Sequence, residues 1–267
     1  MSILDYRPNY SNSYALVIGI NEYKSASPLA YAVNDAKVIA RVLTEDFSFP
    51  KDNVSLLLDK KATRSAITKR FLSFAFGGAA INDRVFVFFA GHGLTSPSRS
   101  GGEVGFLVPY DGDQKNYASL IRWDELTRSS DLIEAKHILF LMDACYGGLA
   151  ITRTLKPGAM RFLKDMLLRS ARQVLTAGKA DEPVADYGGP RPGHSVFTGH
   201  LLEGLSGEAA DPEGVITANG LMAYVHLKVS RDPNSKQTPH YGYLDGDGDF
   251  IFSASWLSEE HEDNEKG

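Results

Sequence analysis

The sequence contains a single cysteine, no excess of basic residues and no long apolar run. One cysteine cannot form an internal disulfide or a cysteine-rich zinc site, and it fits a reducing compartment. Lysine and arginine together number 28 against 33 aspartates and glutamates, which gives a formal net charge of −5. Because a protein that binds phosphates of nucleic acid is normally basic, we expect no nucleic-acid partner.

The longest apolar runs, at residues 85–90 and 138–142, are far shorter than the about 20 residues that a membrane span needs. Residues 1–14 contain no apolar stretch that would serve as a signal peptide. We therefore expect a soluble, cytoplasmic protein with no membrane partner. Export without a recognisable signal stays open as the alternative.

Short, solidly apolar runs alternate with longer amphipathic stretches along the chain. Strands without polar alternation are usually buried on both faces, so this order predicts an α/β sandwich with a mostly parallel central sheet. The predicted strands cover residues 14–20, 53–58, 84–90, 136–142, 173–176 and 250–252, with a short extra strand at 105–109. The predicted helices cover residues 28–47, 63–76 (capped by Thr63), 123–130, 194–205 and 217–230.

Two groups suited to nucleophilic chemistry each come directly after a predicted strand. Gly91-His92-Gly93 follows the third strand, and Asp143-Ala144-Cys145-Tyr146-Gly147 follows the fourth. Ligands bind at the carboxyl ends of strands in open parallel sheets, so we expect both groups at this edge, on neighbouring strands.

A cysteine thiol with a pKa near ~8.5 is mostly protonated at neutral pH, and an imidazole can take its proton and later protonate a leaving amine. From these residue types we predict that Cys145 is the nucleophile and that His92 acts first as general base and then as general acid. We expect no fixed third side chain. The flanking glycines allow a tight turn and expose N–H groups, so the amides of Gly93 and Cys145 are candidates for an oxyanion site.

Structural alternatives exist for both residues. Most free cysteines are small buried hydrophobes, although a position just past a strand and before Tyr-Gly-Gly fits that poorly. His92 would otherwise be a loop histidine at a strand end, and six other histidines are present. A phosphatase of the Cys-x5-Arg type is disfavoured because the first arginine after Cys145 is Arg153, and a nucleotide-binding regulator lacks a glycine-rich phosphate loop.

These motifs resemble the caspase signature, Gln-Ala-Cys-[Arg/Gln/Gly]-Gly with a histidine about 50 residues upstream. His92 lies 53 residues before Cys145, while Asp143 replaces the glutamine and Tyr146 departs at the variable position. The aspartate makes the chain more similar to metacaspases and bacterial caspase-like peptidases. Further similar segments within residues 14–252 are 14–21, 34–36, 88–93, 107–111, 175–186 and 195–204.

The resemblance implies a caspase-like three-layer α/β/α sandwich with a six-stranded sheet and the activity of a cysteine endopeptidase. It implies one peptidase domain over residues 1–253, with a large-subunit-like half at about 1–152, a basic connection at about 152–172 and a small-subunit-like half at about 173–253. Residues 254–267 form an acidic tail that we expect to be disordered. A catalytically silent caspase-like scaffold or interaction module is the alternative function.

In metacaspases the aspartate two residues before the nucleophile lines the primary specificity pocket together with an aspartate of the first helix, and Asp143 and Asp35 match them. Two carboxylates in a partly desolvated pocket repel each other, and a guanidinium offsets both. We therefore expect cleavage of proteins after Arg, then Lys, and not after Asp. Asp181 and Glu182 are weaker candidates for substrate binding. Each of these four acids also has a purely structural alternative. Asp35 would be a solvated helix residue, Asp143 would form a turn, and Asp181 and Glu182 would lie in a solvated loop.

Two forms of control follow from the same resemblance. Residues 152–172 carry six basic residues that a peptidase of this specificity could cut in itself, with an upstream activating protease as another route and a solvated basic helix as the plain alternative. Many metacaspases are activated by calcium, and Asp111 and Asp113 are weak candidates for its ligands. No cofactor is otherwise required. The acids at 245–249 lack the glycine and glutamate of an EF-hand, so we expect a turn there.

Overall fold

The computed structural model describes residues 10–99, 103–145, 168–178, 182, 185–212 and 214–252. Its strands, in chain order, are β1 (Ser13–Gly19), β2 (Val54–Leu58), β3 (Arg84–Ala90), β4 (Gly93–Pro97), β5 (Glu103–Leu107), β6 (Ile121–Arg122), β7 (His137–Cys145), β8 (Ala171–Gly178), β9 (Ile216–Thr217), β10 (His240–Gly246) and β11 (Ile251–Phe252). Its α-helices are α1 (Ala32–Glu45), α2 (Arg64–Leu72), α3 (Trp123–Ser129), α4 (Val196–Glu203) and α5 (Ala218–Arg231). Short 3-10 turns cover Lys51–Asn53, Asp59–Lys61, Tyr117–Ser119 and Ser130–Leu132, and a π-helical turn, Gly204–Glu208, follows α4.

The central sheet has six strands in the order β10-β8-β7-β3-β1-β2. Every neighbouring pair is parallel except β10 and β8, which run antiparallel. This confirms the mostly parallel six-stranded sheet predicted from the sequence. The short extra strand that we predicted near residues 105–109 is β5, and it lies in a separate three-stranded sheet with β4 and β6.

Alternate residues of the sheet enter two separate cores, because side chains along a strand point to opposite faces. On β3, Phe86 and Phe88 join the core under α1, α4 and α5, whereas Val87 and Phe89 join the core under α2 and α3. The sheet is therefore covered on both faces, which explains the unbroken apolar sequence of β3. The three-layer arrangement confirms the predicted fold class.

Local signals set the helix positions well. The buried positions of α1 recur every three or four residues, at Ala32, Ala36, Ile39 and Leu43. The Thr63 hydroxyl accepts a hydrogen bond from the amide of Ala66, 3.2 Å away, and so caps α2 as predicted. Among the described residues, no helix is both long and apolar enough to cross a bilayer.

The prediction of the sixth strand was wrong. The apolar run at 250–252 is buried, but only Ile251–Phe252 form a strand, which pairs with β9 outside the central sheet. The sixth strand is β10, a mixed sequence at the edge of the sheet that contains polar residues and glycine. Solid apolar runs are typical of parallel strands that are buried on both faces, whereas β10 runs antiparallel to β8 and several of its residues are only partly buried.

The strand that carries the cysteine is also longer than predicted. We expected it to end at Met142, but β7 continues to Cys145, with an irregularity in its pairing to β8 between these two residues. Cys145 is thus the last residue of the strand rather than a residue past its end. The strand continues because the backbone of Cys145 still pairs with Gly178 of β8.

Candidate active site

The register of β3 against β7 brings the histidine and the cysteine to the same edge of the sheet. Ala90 pairs with Asp143, and the amide of Gly91 donates to the carbonyl of Asp143 at 3.3 Å. His92 follows the end of β3 by two residues, and Cys145 lies two residues beyond Asp143 at the end of the neighbouring strand β7. The backbone therefore brings both residues to the carboxyl edge of the sheet, at the ends of neighbouring strands as expected.

The imidazole of His92 is oriented by a backbone carbonyl. Its Nε2 lies 2.8 Å from the carbonyl oxygen of Ser27. Because a carbonyl oxygen can only accept, Nε2 carries the proton, and in the neutral ring Nδ1 is left as the acceptor. No residue pattern could have predicted this contact, since any residue has a carbonyl group and Ser27 is 65 residues away.

Beside His92 a cavity of about 130 Å³ opens at the carboxyl edge of the sheet. It is lined by Leu29, Ala32, Asp35, Ala90, Gly91, His92, Gly93, Asp143, Asp186 and Ser195. Three of these are aspartates, and no basic residue other than His92 is among them. The cavity is thus acidic, and it lies directly against the candidate catalytic histidine and the candidate oxyanion residue Gly93.

Asp143 is the most unusual of the three acids. It is 4% exposed, and its Oδ2 accepts from the hydroxyls of Ser195 and Thr198, the latter at 2.7 Å. Its Oδ1 is buried and has no hydrogen-bond partner among the described residues. Burial, and after it the charge of Asp35, raises the pKa of Asp143 to about 7. Ser195 also caps α4, since its hydroxyl accepts from the amide of Thr198.

Asp35 lies on the first turn of α1 and is 1% exposed. It accepts from Nδ1 of His194 at 2.6 Å and from the amide of Ser195 at 3.3 Å. Burial raises the pKa of Asp35, while the bond to His194 opposes the shift. Sequence reasoning missed His194, which we took as part of a helix that in fact begins at Val196. No pattern links positions 159 residues apart in the chain.

Asp186 is the third acid of the cavity and was also missed. Its carboxylate accepts from the amides of Ala30, at 2.6 Å, and Tyr31, at 3.3 Å, directly before α1. Asp186 is the last residue of the segment 175–186, which is similar to the family. This similarity was the signal in the sequence that could have pointed to Asp186. The structure thus joins acids from three separate parts of the chain around one cavity.

Glu182, a further predicted substrate-binding acid, is not among the described residues that line the cavity. Glu182 accepts from the amide of Thr238 at 2.6 Å. Asp181 lies outside the described residues. The structure therefore brings Asp35 and Asp143 together with His92 but does not add Glu182 to them.

The two candidate calcium ligands serve the backbone instead. Asp111 accepts from the amide of Arg64 at 2.8 Å, and Asp113 accepts from the amide of Lys115 at 2.9 Å. Within the described ranges, no group of three or more His, Cys, Asp or Glu residues could hold a metal ion. Asp111 and Asp113 therefore belong to no described group of this kind, and calcium dependence stays a prediction.

Comparison with known proteins agrees with this geometry. The model of the family described as "Caspase domain" matches residues 12–245, which is most of the chain. The chain therefore belongs to the caspase domain family.

Sequence relatives are metacaspases. The chain is 30% identical over 148 residues to Metacaspase-1A of Aspergillus oryzae, an alignment that covers 51% of this chain and 35% of the relative. It is 31% identical over 147 residues to Metacaspase-3 of Trypanosoma cruzi, with coverages of 50% and 40%. In both alignments, this chain matches less than half the length of the relative.

Solved structures share the fold at low sequence identity. A protein of Geobacter sulfurreducens matches with a TM-score of 0.60 and 19% identity, over 89% of this chain and 94% of that one. Caspase-1 of Spodoptera frugiperda matches with a TM-score of 0.52 and 15% identity, over 88% of each chain. These likenesses confirm the caspase fold.

Proposed function

We propose that this protein is a cysteine endopeptidase that cleaves proteins after arginine and, less efficiently, after lysine. Membership of the caspase domain family supports the reaction class. The position of both His92 and Cys145 at the carboxyl edge of the sheet supports the choice of catalytic residues, and the three aspartates that line the cavity with His92 support the specificity.

In the proposed reaction, Nδ1 of His92 takes the proton of the Cys145 thiol, and the thiolate attacks the scissile carbonyl carbon. The amides of Gly93 and Cys145 hold the oxyanion of the tetrahedral intermediate. When the C–N bond breaks, His92 protonates the leaving amine and an acyl-enzyme remains. Water, deprotonated by His92, then hydrolyses the thioester and restores the thiol. Throughout, the Ser27 carbonyl holds the Nε2 proton and stabilises the imidazolium.

The observation that carries the specificity is the buried, unpartnered Oδ1 of Asp143. An unsatisfied carboxylate oxygen is costly, and a donor from the substrate would remove the cost. A guanidinium supplies several N–H donors and a positive charge among Asp143, Asp35 and Asp186. Arginine is preferred to lysine because its planar fork can bond more than one carboxylate oxygen. An acidic side chain would be repelled.

We also propose that the enzyme cuts itself within the basic connection. Two of the six basic residues there are held in the fold: Arg172 lies in β8 and is 9% exposed, and Arg169 pairs with Asp247 at 2.6 Å. The proposed cut therefore falls upstream of both, at Arg153, Lys156, Arg161 or Lys164, which lie outside the described residues. Activation by an upstream protease and a cytoplasmic location belong to the same proposal.

The decisive experiment measures hydrolysis of matched fluorogenic peptides that end in Arg, Lys or Asp. Wild type and Cys145→Ala are compared, each with calcium and with a chelator. We expect Arg to exceed Lys, no cleavage after Asp, and no turnover by Cys145→Ala. Mass spectrometry of both proteins should show a cut between residues 153 and 164 in wild type only.

Each other result has a definite meaning. Preference for Asp peptides would contradict the pocket assignment, and only full-length active enzyme would remove the self-cleavage proposal. Turnover confined to the calcium arm would show that the enzyme needs the cation. An unprocessed wild type without turnover in any arm would leave two interpretations, a zymogen that awaits cleavage by an upstream protease or the interaction module.

A further inference from the structure

The segment between β1 and α1 passes directly over the candidate catalytic histidine. Two of its residues contact His92: the carbonyl of Ser27 bonds Nε2, and the hydroxyl of Tyr23 accepts from the backbone amide of His92 at 2.9 Å. The rings of Tyr23 and His92 also pack against each other, with centroids 4.9 Å apart and planes at 42°. His92 is thus held at its backbone, at its ring face and at its ring nitrogen by one stretch of chain.

The space around the Tyr23 hydroxyl explains the glycine before the histidine. A Cβ built on Gly91 would lie 2.6 Å from this oxygen, too close for two non-bonded atoms. Gly91 and Tyr23 therefore depend on each other, because the hydroxyl can reach the His92 amide only while position 91 lacks a side chain. Burial raises the pKa of Tyr23, so its hydroxyl stays neutral and acts as a hydrogen-bonding group, not as a base.

The segment is itself fixed at its start. Asp59 accepts from the amides of Asn21, at 2.8 Å, and Glu22, at 3.0 Å. The Asn21 side chain in turn accepts from the amide of Val33 on α1 at 3.0 Å. Farther along, the amide of Lys24 donates to the carbonyl of Tyr110 at 3.0 Å. These bonds leave little freedom to the chain on which Tyr23 and Ser27 sit.

We propose that Tyr23 is a positioning residue for the candidate catalytic base, and that Asp59 supports it by fixing the start of its segment. Tyr23 acts through His92 by holding its backbone and ring in the orientation that the proposed proton transfer needs. This inference rests on the proposed peptidase function. It predicts a loss in the chemical step with little change in substrate binding.

The test is the rate at which iodoacetamide alkylates the protein as a function of pH, because the chain has one cysteine and the reaction needs no substrate pocket. The variants are Tyr23→Phe, which keeps the ring and removes the hydroxyl, and Tyr14→Phe as a matched control on β1. His92→Ala gives the profile without the base. With one hydrogen bond lost, we expect Tyr23→Phe to slow alkylation near neutral pH by up to about tenfold, towards the His92→Ala profile. Peptide hydrolysis should show a similar fall in kcat with KM nearly unchanged.

A second pair of variants tests the contact itself. Gly91→Ala should impair the enzyme less in the Tyr23→Phe background than in wild type, because the clash with the hydroxyl is gone. Asp59→Ala should shift alkylation in the same direction as Tyr23→Phe and by less, and it keeps the proposal testable if Tyr23→Phe folds poorly.

The outcomes separate the two proposals. If His92→Ala changes alkylation but Tyr23→Phe and Asp59→Ala match wild type, the positioning role is overturned while the peptidase proposal stands. If His92→Ala also matches wild type, no base acts on Cys145, and both proposals fall.

Discussion

Two buried aspartates of this protein have opposite hydrogen-bonding environments. Asp249, just before β11, accepts from the Gln173 side chain at 2.8 Å and from the backbone and side chain of Asn219 at 3.2 and 2.9 Å. Asp143 has hydroxyl partners on one oxygen and none on the other. Burial raises both pKa values, to about 6 for Asp249 and about 7 for Asp143.

The difference separates a structural acid from a candidate ligand-binding one. Asp249 has partners on both oxygens and joins β8, α5 and the chain before β11. Asp143 faces a cavity with one oxygen unpartnered, an arrangement that costs stability unless a cation enters. Burial and a raised pKa are common to both and do not identify the site.

If the charge of Asp143 could be removed without loss of activity, the proposed difference in role between Asp143 and Asp249 would be wrong. We expect Asp143→Asn to lower kcat/KM for Arg peptides by about 10- to 100-fold, the range for losing a charged hydrogen bond. The matched variant Asp249→Asn should leave kcat/KM close to wild type. Equal losses in the two variants would show that Asp143 acts through the fold alone.

For the free energy of unfolding we expect the reverse order, with a larger loss on substitution of Asp249 than of Asp143. Asp249→Ala would remove the acceptor for the side-chain N–H groups of Gln173 and Asn219. We expect this substitution to lower the free energy of unfolding by about 3 kcal/mol. Asp143→Ala should cost less, since its partners are two hydroxyls, one of which retains its role as helix cap. Urea unfolding followed by circular dichroism measures both. A greater cost at Asp143 would contradict our separation of roles.

The pH dependence of stability tests the same comparison. A folded pKa of about 7 exceeds the ordinary value near ~3.9, so the folded state holds a proton that the unfolded state releases. This contribution to stability is full below pH ~4 and is lost as the pH rises towards 7. Asp143→Asn should flatten that part of the stability profile between pH 4 and 7, measured by urea midpoints. A midpoint profile parallel to that of wild type would mean that Asp143 does not titrate there.

A related change is expected in substrate binding. Because a guanidinium prefers the ionised carboxylate, KM for an Arg peptide should fall severalfold as the pH rises from 6 to 8 in wild type. In Asp143→Asn this dependence should shrink, and a peptide ending in norleucine provides an uncharged control.

Much of the fold could be predicted because its signals are local. The unbroken apolar run of β3, the spacing of buried residues along α1 and the cap at Thr63 are each readable within a short stretch. The mixed sequence of β10 and the extension of β7 to Cys145 depend on pairing with β8, so no local pattern revealed them.

The candidate site likewise has a part that could be predicted from local sequence and a part that could not. The motifs around His92 and Cys145 are contiguous, and family resemblance supplied Asp35 and Asp143. The contacts of Ser27, Tyr23, Asp186 and His194 arise where distant segments meet, three of them through backbone groups that any residue carries. Such contacts depend on tertiary structure and leave no residue pattern in one sequence.

The pairing of β7 with β8 has a consequence for chain continuity. These strands flank the basic connection and lie side by side in the middle of the sheet, with registered pairs from His137–Ala171 to Cys145–Gly178. A break in the connection would cut one covalent link and none of these inter-strand hydrogen bonds. The two fragments would therefore stay associated, and separating them would require breaking the central sheet between β7 and β8.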